Sequence, residues 1–539
     1  MRNEVIYQIF PLTFSDGKKK GKGNIKGIIN KLDYLKNLGI TRIWISPFTK
    51  SPFKDSGYDV SDYCGINEEF GTMEEVEILI SEAKKRNLTI VLDIVFNHTS
   101  DQHEWFKKAL AGDEKYMNYY IFKDPVNGKE PTNWKSKMGG LSWEFVPNLN
   151  KYYLHLFTKE QPDLNWENPE VRNELINILK FWKDKGINGF RLDVCNLYSK
   201  PSSFENDEIG DGRRFYTDGA KVEEYFNLMH NEVFGTDNEI FTVGEVSSTT
   251  KEKSAKYAKV ENKELDSVFT FLHLKVDYEN NDKWTNVKPD LNLFWKLQKE
   301  WQEYYQLENS TLALFMNNHD QPRAVSRFGN VDKYWYESAT SIFAFTSLMR
   351  GVPFIYQGEE IGMTNLTFNN LNEFKDVESI GNANDLLKIK SEEEVLDILR
   401  IKSRDNARSV MQWNDEFNAG FSEKENIDLF VNENYKTINV KNQLNDDKSV
   451  LNFYKKVINL RLNEEVFNDG TINFFENQDY AYSRKLKDKE IIILTNWTTE
   501  NKLIKLKLDS NNWKIILNNY EDFSFDSLKP YQVIAIERK

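Results

Sequence analysis

The strongest constraint on the fold of this chain is a repeated alternation of short apolar segments with longer amphipathic ones. Eight segments rich in β-branched and aromatic residues begin at Glu4, Thr41, Leu88, Ile187, Ile240, Asp266, Thr311 and Val352. Stretches with apolar residues at helical spacing lie between them, which predicts alternating strands and helices in parallel βαβ units. Eight such units predict a closed (β/α)8 barrel (TIM barrel), an α/β fold with its active site at the carboxyl ends of the strands. An open doubly wound sheet is the alternative that periodicity leaves open.

Two regions break this alternation and predict additional domains. Residues 98–169, after the third strand, are irregular and rich in Trp, Tyr, Asn and Lys, and they are too long for a simple loop. Residues 466–539 contain five strand-like segments separated by polar turns: DYAYSRKL, KEIIILTNW, LIKLKL, WKIILNN and YQVIAIE. We predict a barrel formed by residues 1–97 and 170–465, a small inserted domain over its active site, and a C-terminal antiparallel β-sandwich domain.

Composition and charge exclude several classes of protein. The 539 residues include 71 basic and 84 acidic side chains, and the net charge of −13 argues against a nucleic-acid partner. No run of about 18 apolar residues and no signal-peptide pattern occur, so we expect neither membrane association nor secretion. Two cysteines, Cys64 and Cys195, are typical of a reducing compartment. We therefore predict a cytoplasmic protein, and we expect a monomer.

Polar side chains collect where the predicted strands end. They follow strands three, four, five and seven in the motifs DIVFNH, GFRLDV, VGEV and NNHD: Asp93, Asn97, His98, Arg191, Asp193, Glu245, His319 and Asp320. Arg191 and Asp193 are two residues apart on a strand, so they share one face. A single aspartate at a strand end is usually a helix cap or a turn residue. Several charged groups that converge at one end of a barrel indicate a catalytic site instead.

These motifs, in this order, resemble those of the α-amylase family of glycoside hydrolases and transglycosidases, and in particular its oligo-1,6-glucosidase branch. The segment QPDLNWENPEVR, from Gln161 to Arg172, is similar to a signature of that branch. The resemblance implies a retaining α-glucosidase in which Asp193 is the nucleophile and Glu245 the acid and base, with their carboxyl groups about 5–5.5 Å apart. Glu245 would then need a raised pKa, and Arg191 would keep Asp193 ionised.

The resemblance also implies which residues hold the sugar. The candidates are Tyr58, Asp59, His98, Phe157, Arg191, His319, Asp320 and Arg408. Tyr58, in SGYDVSDY, would stack on the terminal glucose. Asp59 would bind the far hydroxyls of that glucose and pair with Arg408 of DNARSVMQW, which closes the pocket and favours release of one unit from a chain end. Asp320 would be the third catalytic carboxylate, binding hydroxyls and helping to distort the ring.

Three further segments resemble the phospho-α,α-trehalases of this family: DGRRFYTDG from Asp211, GEVSSTT from Gly244 and KELDSVFTFLHLKVDY from Lys263. This resemblance implies hydrolysis of trehalose 6-phosphate to glucose and glucose 6-phosphate, without a cofactor. A phosphorylated disaccharide needs cations at the rim of the pocket, and an acidic protein must supply them locally. We predict that Lys275 and Lys283 do so, with Arg213 as a further candidate.

Three alternatives stay open. An oligo-1,6-glucosidase would act on unphosphorylated α-glucosides, and Val194 after the proposed nucleophile resembles enzymes that cut linkages other than α-1,4. A synthase would pass the same glycosyl enzyme to a sugar instead of water. Relatives of this fold also serve as non-enzymatic transporter subunits, but those carry a membrane anchor and often lack the catalytic carboxylates, which this chain retains at Asp193, Glu245 and Asp320.

The loop after the first strand departs from the family pattern. Many members of the branch have an acidic segment here that binds calcium through oxygen atoms, whereas this chain reads SDGKKKGKGN from Ser15 to Asn24. Lys18 and Lys20 occupy positions where the family places oxygen ligands, and ammonium groups repel a divalent cation. We predict no metal at Asp16 and Asn24, and we expect the lysines to bridge neighbouring oxygens instead.

Overall fold

Eight parallel strands form the centre of the molecule, which a computed structural model describes for residues 3–539. We number them β1 (Ile6–Ile9), β2 (Arg42–Ile45), β3 (Thr89–Ile94), β4 (Gly189–Leu192), β5 (Phe241–Glu245), β6 (Ser267–Phe269), β7 (Ala313–Leu314) and β8 (Val352–Tyr356). They pair in the order β6-β5-β4-β3-β2-β1-β8-β7, and a parallel bridge between Val268 and Leu312 joins the two outer strands. The sheet is therefore closed. This confirms the predicted barrel and rules out the open doubly wound sheet.

The helices follow the strands in sequence and include several short additional ones. They are Pro11–Phe14, Ile25–Asn30, Leu32–Leu38, Met73–Lys85, Pro169–Asp184, Arg213–Tyr216, Val222–Glu232, Lys251–Tyr257, Leu291–Leu307, Ala324–Phe328, Trp335–Ser347, Val377–Leu386, Glu392–Lys402, Val440–Leu444, Val450–Asn463 and Glu465–Asp469. Helix Met73–Lys85 shows the local logic, because Thr72 and Glu75 form a capping box at its start and its apolar residues are buried. Gly39 ends helix Leu32–Leu38 with a left-handed φ of 100°.

The register of the central strands brings their carboxyl ends to one level. Asp93 on β3 pairs with Arg191 on β4, and Arg191 pairs in turn with Val243 on β5. Every residue of β4 and β5 is buried. Side chains that follow these three strands therefore converge at the mouth of the barrel, as the fold requires of a catalytic site.

The segment after β3 forms a small lobe beside the mouth. It contains helices Glu104–Leu110 and Glu114–Met117 and a three-stranded antiparallel sheet of Phe122–Lys123, Lys151–Leu154 and Trp143–Val146, in that spatial order. Its apolar cluster, with Trp134, Trp143 and Leu156, includes Val194 and Leu197 from the loop after β4. The lobe is thus packed directly against the segment that follows the proposed nucleophile.

The C-terminal region contains a five-stranded antiparallel sheet. Its strands, in spatial order, are Thr471–Phe474, Ala481–Leu486, Lys489–Thr495, Val533–Arg538 and Trp513–Asn518. Two further pairs of strands are Lys502–Leu503 with Ser527–Leu528, and Thr49–Lys50 with Asp62–Ile66 after β2. Of the expected strand LIKLKL, only Leu503 lies in a strand, whereas Ile504, Leu506 and Leu508 pack onto the apolar face of the sheet. The exact domain boundaries stay a prediction.

Within residues 3–539, no helix is long and apolar enough to cross a bilayer.

Candidate active site

A single buried guanidinium joins the carboxylates at the ends of β3, β4 and β5. Arg191 Nη1 donates to Asp93 Oδ1 at 2.7 Å and to Asp193 Oδ1 at 2.6 Å, and its Nη2 contacts Glu245 Oε2. Only 1% of Arg191 is exposed, so its charge requires such partners. The two predicted catalytic carboxylates therefore share one guanidinium. The predicted separation of about 5–5.5 Å between these two carboxyl groups stays a prediction.

The chain turns sharply just after Asp193. The backbone N–H of Asp193 donates to the Ile94 carbonyl at 2.9 Å, which extends the ladder with β3 by one residue. Val194 then adopts φ 34°, a conformation that costs a β-branched residue energy, and the chain enters the 3-10 helix Cys195–Leu197. Asp193 is thus the last side chain on its strand to face the mouth.

Cys195 does not belong to the reacting groups. Its Sγ donates to the Glu245 carbonyl at 3.4 Å and is fully buried. Burial raises the pKa of the Cys195 thiol well above its ordinary value, so the group is a neutral thiol. Its contact with the backbone of Glu245 is a packing contact.

An aromatic and imidazole platform lies beside the carboxylates. The Tyr58 hydroxyl and Trp44 Nε1 both donate to Asp93 Oδ2, at 2.9 and 3.0 Å. The Tyr58 and His319 rings are parallel, with centroids 5.0 Å apart and an interplanar angle of 2°. Burial raises the pKa of Tyr58, so its hydroxyl stays protonated. The arrangement suits the apolar face of a pyranose ring, as predicted for Tyr58.

The inserted lobe holds His98 in place. The Nε2 atom of His98 lies 3.1 Å from Gln161 Nε2, and the ring centroid of His98 lies 5.0 Å from that of Phe157. His98 and Asp163 form an antiparallel bridge, and Asp163 Oδ2 accepts from Asn97 Nδ2 at 3.0 Å. Residues of the QPDLNW segment therefore position His98, which is a predicted sugar-binding residue.

Asp320 lies among three basic side chains. Its carboxylate is 3.1 Å from His319 Nε2 and 3.2 Å from both Arg404 Nη1 and Arg408 Nη2. Burial by itself would raise the pKa of Asp320, but His319, Arg404 and Arg408 outweigh that effect and hold it well below its usual range. Asp320 is therefore a fixed anionic acceptor for sugar hydroxyls.

The predicted pair of Asp59 and Arg408 is wrong. Asp59 is fully buried, and its carboxylate accepts from Ser51 Oγ at 2.8 Å and from the backbone N–H groups of Lys54 and Asp55 at 2.9 and 3.1 Å. Its oxygens thus stabilise the turn of their own loop. These contacts use the Asp59 carboxylate within its own loop, and they give no support to a sugar-binding role for it.

Arg404, instead of Arg408, forms the ion pair with an aspartate of the loop that holds Tyr58, and this aspartate is Asp55 instead of Asp59. The Nη2 atom of Arg404 lies 3.1 Å from Asp55 Oδ1 and 2.6 Å from Asp376 Oδ1, while Nη1 reaches Asp320. Arg408 binds Asp320 and Asp376 as well. Sequence reasoning missed Arg404, although its place four residues before Arg408 is the spacing of one helical turn.

The predicted phosphate ligands differ in their surroundings. Lys283 Nζ forms an ion pair with Glu378 at 2.6 Å, so its charge is already neutralised. Lys275 is half-buried, and within the described part of the chain its ammonium makes no ion pair. Arg213 Nη2 binds Asp211 Oδ2 at 2.8 Å and is 40% exposed. Burial, together with Arg213, lowers the pKa of Lys275 to about 8.

The lysine-rich loop is held by hydrogen bonds that converge on Asp16. The carboxylate accepts from the N–H groups of Lys18 and Gly21 at 3.0 and 2.6 Å, from Asn24 Nδ2 at 2.9 Å and from Ser422 Oγ at 2.7 Å. Lys18 Nζ reaches Glu75 at 2.6 Å. In residues 3–539, no group of three or more His, Cys, Asp or Glu side chains is arranged to hold a metal.

Comparison with known proteins agrees with this geometry. The family model described as the α-amylase catalytic domain matches residues 8–470. The chain belongs to the α-amylase family of glycoside hydrolases. It is 42% identical to the trehalose-6-phosphate hydrolase of Escherichia coli K12 over 99% of this chain and 98% of that protein. It is 41% identical to the oligo-1,6-glucosidase of Parageobacillus thermoglucosidasius over 98% and 96%.

A solved structure of a member of this family is also similar to the chain. A mutant of the trehalose-6-phosphate hydrolase of Bacillus licheniformis superposes with a TM-score of 0.95 at 43% identity, covering 99% of each chain. Whole-chain identity differs by one percentage point between the two kinds of curated relative, 42% and 41%. Overall similarity therefore does not choose between phosphorylated and unphosphorylated substrates, and the choice depends on the rim of the site.

Proposed function

We propose that this glycoside hydrolase is a retaining α-glucosidase that converts trehalose 6-phosphate and water to glucose and glucose 6-phosphate. The observation that carries the proposal is the coexistence of two features in one site. Asp193 and Glu245 share the Arg191 guanidinium, and Lys275 stands half-buried in the loop after β6, where no carboxylate among residues 3–539 pairs with its ammonium. The first feature serves cleavage of the glycosidic bond. The second serves binding of a charged leaving group.

The chemical steps follow from the carboxylates. Asp193 attacks the anomeric carbon of the unphosphorylated glucose, and Glu245 donates a proton to the departing oxygen of glucose 6-phosphate. Glu245 then takes a proton from water, which attacks the glycosyl enzyme and frees Asp193. In the structure, the Glu245 carboxyl contacts Arg191. The first step requires a protonated Glu245 that is free of this contact, while Arg191 keeps Asp193 and Asp93 as partners.

Binding of the glucose unit is assigned to the platform and its neighbours. Tyr58 would stack on the ring, and His98, His319 and Asp320 would hydrogen-bond its hydroxyls. The cation-bound carboxylate of Asp320 is a stronger acceptor than a neutral group would be. These roles are independent of phosphate, so an unphosphorylated glucoside would use them equally.

Charge at the rim supports a phosphorylated leaving group. A chain with a net charge of −13 repels a dianion, and a local cation without an internal partner offsets this. Lys275 meets that description. Lys283 meets it less well, because a phosphate would have to displace Glu378 from it.

The second candidate is an oligo-1,6-glucosidase, which the 41% identity to such an enzyme favours. It would use Asp193, Glu245 and Asp320 in the same way and leave Lys275 without a bound phosphate. Transfer to a second sugar is a variant of either reaction, because water and sugar compete for one glycosyl enzyme. A cytoplasmic location is also part of the proposal, since Cys64 and Cys195 are both unpaired.

The experiment is a proton NMR time course with trehalose 6-phosphate. We expect equal amounts of glucose and glucose 6-phosphate. The glucose should be the α anomer at the moment of its release, before the anomers equilibrate. Release of the β anomer would contradict the retaining mechanism. Turnover of isomaltose without turnover of trehalose 6-phosphate would contradict the proposed substrate and favour the second candidate.

A further inference from the structure

Lys137 brings another cation to the rim from the inserted lobe. Its Nζ lies 5.2 Å from the centroid of the Phe157 ring, and that ring packs 5.0 Å from His98. Lys137 is half-buried, and in the part of the chain that the structure describes its ammonium has no ion pair. An ammonium that is partly removed from water without an anion is unfavourable unless a ligand supplies one.

Backbone contacts fix Lys137 relative to two other parts of the rim. The tight turn of residues 135–141 is closed by an antiparallel bridge between its ends. Ser136 Oγ donates to the Phe157 carbonyl at 2.6 Å, and the Lys137 N–H donates to the Leu156 carbonyl at 2.9 Å. The Lys135 N–H donates to the Asp211 carbonyl at 3.0 Å, which ties the turn to the loop of Arg213.

Two further cations are near enough to Lys137 to act on its charge. Burial, with smaller contributions from Arg213 and Lys275, lowers the pKa of Lys137 to about 7, against the opposing effect of Asp193 and Asp211. Burial and Arg213 likewise lower the pKa of Lys275 to about 8. Three cations from three different loops therefore act on one another close to the proposed nucleophile.

We propose that Lys137, Lys275 and Arg213 together bind a phosphomonoester dianion, and that Lys137 is the specificity-determining residue that the inserted lobe contributes. The inference rests on the proposed function and deepens it. Asp211 neutralises one of the three positive charges, so the cluster matches the charge of a dianion. Three donors also match the three terminal oxygens of a phosphate. Lys283 pairs with Glu378 and is not among the charges that act on Lys137 or Lys275, so it lies outside this group.

The cluster has a consequence for pH dependence. The phosphate becomes a dianion above about pH 6. The two lysines lose their charge above about pH 7 and 8, the pKa values to which their surroundings lower them. The pKa of a lysine rises when an anion binds it, so substrate binding near pH 7 takes up a proton. Activity on the phosphorylated sugar should therefore fall at high pH earlier than activity on an unphosphorylated glucoside.

The test compares Lys137→Met with Lys135→Met, an exposed lysine in the same turn. For Lys137→Met, we expect kcat/KM for trehalose 6-phosphate to fall about 30-fold or more, since a charge-assisted contact is lost. The value for an aryl α-glucoside should change about threefold or less. Lys135→Met should leave both values near those of the unmodified enzyme, and Lys137→Arg should recover most of the loss.

A second readout does not depend on turnover of the phosphorylated substrate. Glucose 6-phosphate and glucose are each tested as inhibitors of aryl glucoside hydrolysis. In Lys137→Met, the inhibition constant of glucose 6-phosphate should rise about 10-fold or more, with that of glucose little changed. An equal loss on both substrates, or unchanged inhibition by glucose 6-phosphate, would overturn the role of Lys137.

The proposed function itself would fail differently. If the unmodified enzyme showed no preference for trehalose 6-phosphate over trehalose, the phosphorylated substrate would be wrong. A preference that survives in Lys137→Met would leave the function standing and remove Lys137 from the phosphate site. Thermal unfolding of each variant checks that the lobe keeps its structure.

Discussion

At the scale of single residues, the geometry of the site depends on the guanidinium of Arg191. It binds one carboxylate from each of three neighbouring strands and is almost completely buried. Loss of any one carboxylate leaves it two partners, so the charge stays compensated. Catalysis should be more sensitive than folding, because Asp193 is the proposed nucleophile.

Asp193→Asn should therefore abolish turnover without unfolding the enzyme. We expect kcat to fall by about 10⁴-fold or more, as for the removal of other enzymic nucleophiles, and the melting temperature to change little. Steady-state assays with an aryl α-glucoside and thermal unfolding measure the two effects. Asp184→Asn, at the exposed end of helix Pro169–Asp184, is the matched control. Substantial activity in Asp193→Asn would show that the nucleophile is wrongly assigned.

The sequence predicted some site residues better than others for physical reasons. Asp193 and Glu245 follow barrel strands, and strand periodicity fixes where such residues point. Asp59 and Arg408 lie on loops distant in sequence, where the rotamer of each side chain decides its partner. Lys137 lies in a lobe without periodic pattern, so nothing in the local sequence indicated that it faces the site.

At the scale of elements, the loop Ser15–Asn24 shows how a few side chains organise a turn. Asp16 accepts hydrogen bonds from the backbone of its own loop and from Ser422, which lies far along the chain. Lys18 adds an ion pair with Glu75. The carboxylate and the ammonium together supply the contacts that hold the loop to its neighbours.

Asp16→Ala should destabilise the enzyme by about 2 kcal/mol or more, because several donors lose their acceptor. Thermal unfolding should show the loss, and neither millimolar calcium nor a chelator should change the melting temperature of the unmodified enzyme. Asp184→Ala serves as the control for removing an exposed carboxylate. A melting temperature that rises with calcium concentration would contradict the prediction of a loop without metal.

The junction between the barrel and the C-terminal sheet depends on Arg484. Its Nη1 donates to the carbonyls of Leu348 and Met349 at 3.0 and 2.7 Å, just after helix Trp335–Ser347. Its Nη2 donates to the carbonyls of Phe467 and Gly470, both at 2.9 Å. The guanidinium is fully buried and satisfies carbonyls on both sides of the junction.

Arg484→Met should lower stability by about 3 kcal/mol or more, since buried carbonyls lose their donors. The activity of the molecules that stay folded should be unchanged, because Arg484 lies far from the mouth. Thermal unfolding and specific activity separate the two effects. Arg538→Met is the control, since Arg538 makes one exposed ion pair with Glu490. Equal melting temperatures for the two variants would contradict this role.

The C-terminal elements also show the limit of pattern reading. Alternation predicted the strands of DYAYSRKL, KEIIILTNW, WKIILNN and YQVIAIE, and the structure contains a strand in each. LIKLKL has the same alternation but forms only the short strand Lys502–Leu503. Alternation dictates which side chains pack on the sheet, whereas pairing also requires a free edge of the ladder.

At the scale of the whole molecule, charge is distributed unevenly. The net charge is −13, yet the positive charges of Arg213 and Lys275 act on Lys137 of the inserted lobe. The proposed carboxylates lie on the barrel strands, and the proposed phosphate ligands lie on the lobe and the loops after β4 and β6.

The measurement that tests the central claim most directly compares kcat/KM for trehalose 6-phosphate, trehalose and isomaltose. We predict a preference of about 100-fold or more for the phosphorylated sugar, which corresponds to about 2.7 kcal/mol of transition-state stabilisation and requires a phosphate site. A higher kcat/KM for isomaltose than for trehalose 6-phosphate would contradict the claim. The catalytic carboxylates would then keep their roles, and the enzyme would be an oligo-1,6-glucosidase.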